Sequence, residues 1–179
     1  DAIAKSFDQN PKELEKIYDV LGDYGRVAEQ AKNGKLKAKI QVGQPIRVML
    51  ADRASDIQEA MTKFEKPAVE FKYDGFRIQI HKNGSDVSVF SRRMENVTKQ
   101  FPDIVALARK HINCKQCIVE GEAVAIKEGR PQPFQLLSKR IRRKYDIEKM
   151  VREIPVQINL FDLLYLDGVS YIDELLMER

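Results

Sequence analysis

The chain has only two cysteines and two histidines among its 179 residues. Cys114 and Cys117 have the two-residue spacing of half a zinc site, but no second cysteine pair exists to complete it, and the histidines are His81 and His111. A structural zinc centre needs four such ligands. The two cysteines are therefore interpreted as ordinary residues that lead into a strand, and neither a metal knuckle nor a redox pair is expected.

Long apolar runs are also absent, and the start of the chain does not resemble a signal peptide. With 43% hydrophobic and 32% charged residues, the chain can bury a core. Its length suggests one domain, or one domain with a small addition. These features predict a cytoplasmic protein that does not enter membranes.

Positive charge is slightly in excess, with a net charge of +4 and a pI near 9.0. Many ordinary proteins are this basic, so the clustering of the charges matters more than their sum. One pair is formed by Arg92 and Arg93. A denser run consists of Lys139, Arg140, Arg142, Arg143 and Lys144. Taken alone, this run is compatible with a solvated helix face or with a surface that binds phosphates.

The most informative segment, EFKYDGFR, extends from Glu70 to Arg77. A free lysine amine is protonated at neutral pH, so covalent catalysis by Lys72 requires neighbouring groups that favour its neutral form. Asp74 can hold a metal or orient the amine, and the planar guanidinium of Arg77 suits phosphate. The pattern indicates phosphoryl or nucleotidyl transfer, although a string of the form KxDG alone also fits a solvated turn between two strands.

This segment resembles motif I of the covalent nucleotidyltransferases, which comprise DNA ligases, RNA ligases and capping enzymes. Three further stretches occur in the order that this family requires. Residues 91–98 (SRRMENVT) resemble motif Ia, residues 118–124 (IVEGEAV) motif III, and residues 159–168 (NLFDLLYLDG) motif IIIa. Four ordered matches make a chance resemblance improbable.

Two other stretches narrow the resemblance to ATP-dependent DNA ligases. Residues 45–51 (PIRVMLA) are similar to the lead-in of their adenylation domain, although Val48 stands where proline is expected. Residues 140–147 (RIRRKYDI) are most similar to the archaeal replicative enzymes. Motifs IV to VI of the family do not occur in the sequence, so the chain is expected to be a fragment of a larger enzyme.

The resemblance implies a set of site residues. Lys72 is the expected nucleophile, and Asp74 and Glu122 are expected to meet Mg²⁺, with Mn²⁺ as an alternative metal. The expected ATP or AMP contacts are Glu70, Lys72, Arg77, Arg92, Glu122 and Phe161. The expected DNA contacts are Arg93, Lys139, Arg140, Arg142, Arg143 and Lys144. Two alternatives remain open, since Phe161 also fits core packing and Glu120 either shares the metal or only ends a strand.

The implied function is ATP-dependent sealing of nicks in duplex DNA during replication and repair. Nicked DNA is the expected partner, with a sliding clamp as a further partner through a region outside this chain. A monomer associated with the nucleoid is expected. One alternative is an RNA ligase or capping enzyme. Such an enzyme would differ in its nucleotide donor or would lack the helical segment that residues 1–44 are expected to form. The other is a non-catalytic DNA-binding module, which would carry no covalent nucleotide.

The expected fold class is α+β: part of an ATP-grasp-like adenylation domain with antiparallel sheets and flanking helices. Residues 1–44 are predicted to form the end of a helical DNA-binding domain and a linker, and residues 45–179 the adenylation part. Alternating apolar residues predict a strand over 69–73 with Lys72 at its end, followed by a hairpin turn at Asn83 and Gly84. Residues 134–144 are predicted to form a basic helix.

Overall fold

The computed structural model describes residues 1–37, 39–143 and 145–179, and it combines a short helical segment with an antiparallel sheet covered by helices. The helices are α1 (Ala2–Ser6), α2 (Pro11–Leu21), α3 (Tyr24–Lys32), α4 (Ile57–Thr62), α5 (Pro102–His111), α6 (Phe134–Ile141) and α7 (Ile147–Glu153), with 3₁₀ turns at Thr98–Gln100 and Leu176–Glu178. The strands are β1 (Phe76–Asn83), β2 (Asp86–Ser91), β3 (Gln116–Lys127), β4 (Arg130–Pro131), β5 (Val156–Leu166) and β6 (Val169–Ser170). The α+β class expected from the sequence is therefore confirmed.

Local sequence signals determine the ends of α2. The side chain of Asn10 accepts a hydrogen bond from the amide of Lys12 at 2.9 Å, and Pro11 occupies the first turn, where its missing N–H costs nothing. The helix ends at Gly22, whose φ of +65° suits glycine. The apolar side of α2 packs into a small core shared with α1 and α3.

The sheet has the strand order β2-β1-β3-β5-β6, and β4 extends β3 as a short ribbon. All of these pairings are antiparallel. Apolar residues of β1, β2, β3 and β5 face α5, α6 and α7 and form the main core, which includes Ile78, Ile80 and Val119. The residues between them face the opposite side, which we call the polar face because it carries Arg77 and Glu120 among others.

The strand predicted over residues 69–73 is absent, so this prediction is wrong. β1 begins at Phe76, and the structure assigns no strand to residues 68–75. A strand requires a neighbour for its amides and carbonyls, and no described strand pairs with this segment. Val69 and Phe71 are 83% and 87% exposed, so their alternation is not matched by burial.

The linker that follows α3, which includes Gly43, Ile46 and Arg47, packs between the helical segment formed by α1, α2 and α3 and the polar face of the sheet. Ile40 and Ile46 are buried against Ile118 and Leu164, and Val20 of α2 joins the same cluster. The amide of Arg47 donates to the carbonyl of Asp19 at 3.0 Å. The helical segment therefore contacts the sheet through the linker, while the domain boundary predicted at residues 44/45 stays a prediction.

Arg140 is a buried structural residue, and the prediction that it contacts DNA is wrong. Its side chain is fully buried and forms a bidentate ion pair with Asp103. Its Nε donates to the carbonyl of Gln100 at 3.0 Å, and its guanidinium lies over the ring of Phe101 at 4.7 Å from the centroid. These contacts hold α6 against the start of α5, so the guanidinium is not available to phosphates.

The basic helix is also shorter than predicted. It ends at Ile141, with Arg142 as its C-cap, instead of extending to residue 144. Lys139, Arg142 and Arg143 are exposed, so their predicted role stays open. Lys144 lies outside the described residues.

Replacing Arg140 with methionine should destabilise the protein by about 3 kcal/mol, because the substitution leaves the Asp103 carboxylate without its buried partner. Urea unfolding would measure this loss. The matched control is Lys139→Met, which removes the same charge from an exposed neighbour and should change stability by less than about 0.5 kcal/mol. Equal losses in the two variants would contradict the structural role of Arg140.

Candidate active site

Lys72 lies in an open cleft of about 400 Å³. The cleft is also lined by Asp74, by Val124 of β3 and by Gln157 and Asn159 of β5. The Lys72 side chain is exposed, and its Nζ donates to the carbonyl of the adjacent Tyr73 at 3.1 Å. Because this contact is to a neighbouring backbone oxygen, the amine is free to turn towards a ligand in the cleft.

Gly75 allows the loop that carries Lys72 and Asp74 to approach β3 closely. A Cβ at this position would lie 2.4 Å from the carbonyl oxygen of Ala123 and 2.8 Å from Cγ of Glu122, so any other residue would displace the loop. The carboxylate of Asp74 accepts a hydrogen bond from the amide of Phe134 at 3.2 Å. The close approach at Gly75 therefore brings the loop with Asp74 next to Glu122 of β3, where the charge of Asp74 acts on the Glu122 carboxyl.

Glu122 is half-buried beside Lys72, Asp74 and Arg77. Burial raises the pKa of its carboxyl above the ordinary value, and the positive charges of Lys72 and Arg77 oppose this shift without cancelling it. A nearby cation would therefore favour the ionised form of Glu122.

The donor set at Asp74 and Glu122 fits Mg²⁺. This ion binds through one or two carboxylates and completes its shell with water and substrate oxygens. Within residues 1–37, 39–143 and 145–179, no group of three or more His, Cys, Asp or Glu side chains is placed to enclose a metal. The arrangement is thus unlike a metal cage built from protein ligands alone.

Arg77 presents its guanidinium on the polar face between a carboxylate and an aromatic ring. One nitrogen, Nη2, is paired with Oε2 of Glu120, and the guanidinium lies 5.2 Å from the ring centroid of Phe161. Its Nε is buried and has no hydrogen-bond partner among the described residues. The side chain as a whole is 31% exposed, so a polar ligand can reach the part of the guanidinium that Glu120 leaves unpaired.

The polar face also contains a hydrogen-bond network that the sequence reasoning missed. Gln79 donates from Nε2 to Glu120 Oε1 at 2.8 Å and to the carbonyl of Ile46 at 3.1 Å. Its Oε1 accepts from the amide of Ile46 and contacts Nε2 of His81, both at 2.8 Å. Nδ1 of His81 accepts from the amide of Gly43 at 2.9 Å, so the ring must be neutral with its proton on Nε2.

A signal for this network was present in the sequence. Arg77, Gln79 and His81 alternate with Ile78 and Ile80. This period of two predicts that the three polar residues share one face of a strand. What the alternation could not indicate is that the opposing strand and the linker would bury this face.

A second ion pair extends the network along β5. Both carboxylate oxygens of Asp162 lie 3.1 Å from Nη1 of Arg179, and Asp162 is the cross-strand neighbour of Glu120. Burial raises the pKa of Asp162, and the charge of Arg179 opposes the rise. On the polar face, the adjacent carboxylates of Glu120 and Asp162 are thus each paired with an arginine, Arg77 and Arg179, which limits the cost of burying them.

The remaining predicted nucleotide contacts lie on the surface. Glu70 is exposed two residues before Lys72. Arg92 and Arg93 are exposed directly after β2, whose last residue, Ser91, pairs with Ile78 of β1. This register places Arg92 at the same end of the sheet as Arg77, and the roles of these residues stay predictions.

Comparison with known proteins defines the class of this fold and site. The profile of the family described as "ATP dependent DNA ligase domain" matches residues 48–179. The chain belongs to this family, as its motifs indicated.

None of the described helices combines the length and the apolar composition needed to cross a lipid bilayer.

Individual relatives are similar in sequence to this chain over its whole length. It is 46% identical to a DNA ligase of Nanoarchaeum equitans and 45% identical to a DNA ligase of Thermococcus fumicolans, in each case with 100% of this chain aligned. The chain spans 33% of the length of each of these relatives. Among solved structures, the ligase domain of LigD from M. tuberculosis matches 62% of this chain and 33% of its own, with 29% identity and a TM-score of 0.47.

Stability should fall as the pH is lowered from about 6.5 to about 4, because burial lowers the pKa of His81 to about 4. In this window the unfolded chain binds a proton at His81 and the folded chain does not, so acidification favours unfolding. The contribution of His81 should reach about 3 kcal/mol at the acidic end of the window.

Urea unfolding at a series of pH values would measure this effect. His81→Gln should flatten the dependence between the two pH limits. His111→Gln, which removes the exposed histidine, should leave the dependence unchanged. An identical pH dependence in both variants would contradict a neutral, buried His81.

Proposed function

We propose that the protein containing this chain is an ATP-dependent DNA ligase that seals nicks in duplex DNA, with Lys72 carrying AMP as a covalent intermediate. The observation that carries the proposal is that Lys72 lies in a cleft with Asp74 and close enough to Glu122 for its charge to act on that carboxyl. Membership of the ATP-dependent ligase domain family, and relatives named DNA ligase that align with the entire chain, support it.

The first step is attack by the neutral amine of Lys72 on the α-phosphorus of ATP. A nitrogen–phosphorus bond forms, the bond to the β-phosphate oxygen breaks, and pyrophosphate and the amine proton leave. In the second step an oxygen of the DNA 5′-phosphate takes AMP from Lys72. In the third step the 3′-hydroxyl attacks that phosphate, AMP departs, and the strand is continuous.

The carboxylates near Lys72 are proposed to organise the phosphates. Asp74 and Glu122 would hold Mg²⁺, or Mn²⁺ in its place, and the ion would supply positive charge where negative charge develops on phosphorus. Asp74 is pre-oriented for this task by its hydrogen bond from the amide of Phe134. Burial disfavours the charged form of Glu122, and a cation bound beside it would favour the ionised carboxylate.

Adenine and ribose are assigned to the polar face. Phe161 offers a ring on which the base can stack, and Arg77 offers a partly exposed guanidinium beside that ring. Glu70 is placed beside the base, and Arg92 is placed against the ribose or the phosphates. Exposure of Glu70 and Arg92 is compatible with these roles.

DNA is proposed to bind through exposed basic residues. Arg93, Lys139, Arg142 and Arg143 are exposed and can pair with backbone phosphates, and Lys144 is included although it lies outside the described residues. Nicked DNA is thus the proposed partner, and a sliding clamp bound through a region outside this chain is a further one. We also propose a monomer that works in the cytoplasm in association with the nucleoid.

Replacing Lys72 with alanine in the full-length protein should abolish covalent labelling by ATP carrying a radioactive α-phosphate, because no other group replaces the nucleophile. Labelling would be measured after denaturing electrophoresis, with circular dichroism as a check on folding. The matched control is Lys66→Ala, an exposed lysine six residues earlier on the same segment, which should label normally. Labelled Lys72→Ala protein would refute the proposed nucleophile.

Replacing Arg142 and Arg143 with glutamine should weaken binding to a nicked duplex and lower the slope of log affinity against log salt by about 2, since each lost phosphate contact removes about one released counterion. Formation of the covalent adenylate should be unaffected. The control, Lys110→Gln with Lys127→Gln, removes equal charge from other exposed positions and should retain the original slope. Equal slopes in both double variants would remove the basic run from the DNA interface.

A further inference from the structure

We propose that Gln79 is a positioning residue for Arg77, that it acts through Glu120, and that it makes this positioning depend on where the linker lies at Ile46. The inference rests on the proposed function, because it takes Arg77 to contact the bound nucleotide. It assigns a task to a buried side chain that does not itself line the cleft around Lys72.

The amide of Gln79 is held in a single orientation. Its side chain has two N–H donors and one oxygen with two acceptor sites, and it uses all four, towards Glu120, the carbonyl and the amide of Ile46, and His81. Gln79 is 4% exposed, so water cannot replace a lost partner. Rotating the amide by half a turn would set donors against donors, which makes the observed orientation strongly preferred.

Glu120 depends on Gln79 because it is itself buried. The residue is 3% exposed, and its two carboxylate oxygens are divided between two partners. Oε1 accepts from Gln79, and Oε2 is paired with Arg77. A buried carboxylate requires such partners to remain ionised and in place. Loss of the Gln79 donor would therefore allow the Glu120 carboxylate to rotate and would change the geometry of its ion pair with Arg77.

The orientation of Glu120 determines how Arg77 meets a ligand. A guanidinium is planar, so fixing Nη2 against Glu120 and the plane near Phe161 also fixes the direction in which the N–H bonds of Nη1 point. The Arg77 side chain is 31% exposed, and Nη2 is the nitrogen that donates among its described contacts. A small rotation of the plane would move the exposed part of the guanidinium away from a nucleotide oxygen and would weaken ATP binding.

The same side chain binds the linker. Gln79 holds both backbone groups of Ile46, and His81 holds the amide of Gly43. The next residue, Arg47, bonds to Asp19 of the helical segment. A displacement of the helical segment would thus move Ile46. Through the hydrogen bonds of Gln79 and the ion pair of Glu120, it would also change the orientation of Arg77.

A double-mutant cycle for ATP binding in the full-length protein tests this chain of contacts. Gln79→Met, which keeps the volume and removes the hydrogen bonds, should raise KM for ATP in adenylate formation about tenfold and change kcat by less than about twofold. In an Arg77→Met background the same substitution should raise KM by less than about twofold, because the group on which Gln79 acts is already gone.

A second variant covers the case in which Gln79→Met does not fold. Gln79→Asn keeps a neutral amide, but its side chain is one methylene shorter and loses the donor to Glu120, so it should raise KM in the same way. Gln116→Met is the matched control. It removes a strand glutamine that donates to Asn83 at the other end of the β1–β3 pair, and it should leave KM unchanged.

Two results would overturn the inference while the unsubstituted protein still forms the adenylate. One is an unchanged KM in both Gln79 variants, and the other is an equal rise in KM with and without Arg77, which would indicate a general structural defect. Failure of the proposed function looks different, because the unsubstituted protein would then form no adenylate, and the inference would fall with it.

Discussion

The carboxylate of Glu120 is buried on the polar face of the sheet, and much of the candidate site depends on how its charge is compensated. Isolated, such a group would be too costly to bury, so it requires a cation and a neutral donor. Arg77 supplies the first and Gln79 the second. Because Gln79 also holds the linker, one buried charge connects the Arg77 guanidinium to the packing of the helical segment.

The two faces of the sheet differ in what they contact. The apolar face packs on α5, α6 and α7, and at the edge of this core the buried Arg140 holds α6 against α5. The polar face carries charges that partly neutralise one another and leave some donors free. Lys72 lies at the edge of this arrangement, on an exposed loop that Gly75 brings against β3. The Lys72 side chain is therefore exposed beside partners that are held by buried hydrogen bonds and ion pairs.

Local patterns in the sequence predicted elements that carry their own signals. The hairpin turn at Asn83 and Gly84 joins β1 to β2, and the helix predicted from residue 134 begins at Phe134. The prediction of a strand over 69–73 was wrong because pairing depends on a neighbour, which alternation alone cannot supply. Arg140 was misassigned for a similar reason, since a basic run does not reveal that one of its members is paired with Asp103. Likewise, Gln79 and His81 gained importance only through contacts with a distant linker.

The central claim, that Lys72 is the residue that becomes adenylated, is tested most directly by locating the AMP. The full-length protein would be incubated with ATP and Mg²⁺, digested under alkaline conditions that preserve a nitrogen–phosphorus bond, and examined by tandem mass spectrometry. The account predicts AMP on the ε-amine of Lys72 and its loss on mild acid treatment. AMP on another residue, or no AMP on any peptide, would contradict it.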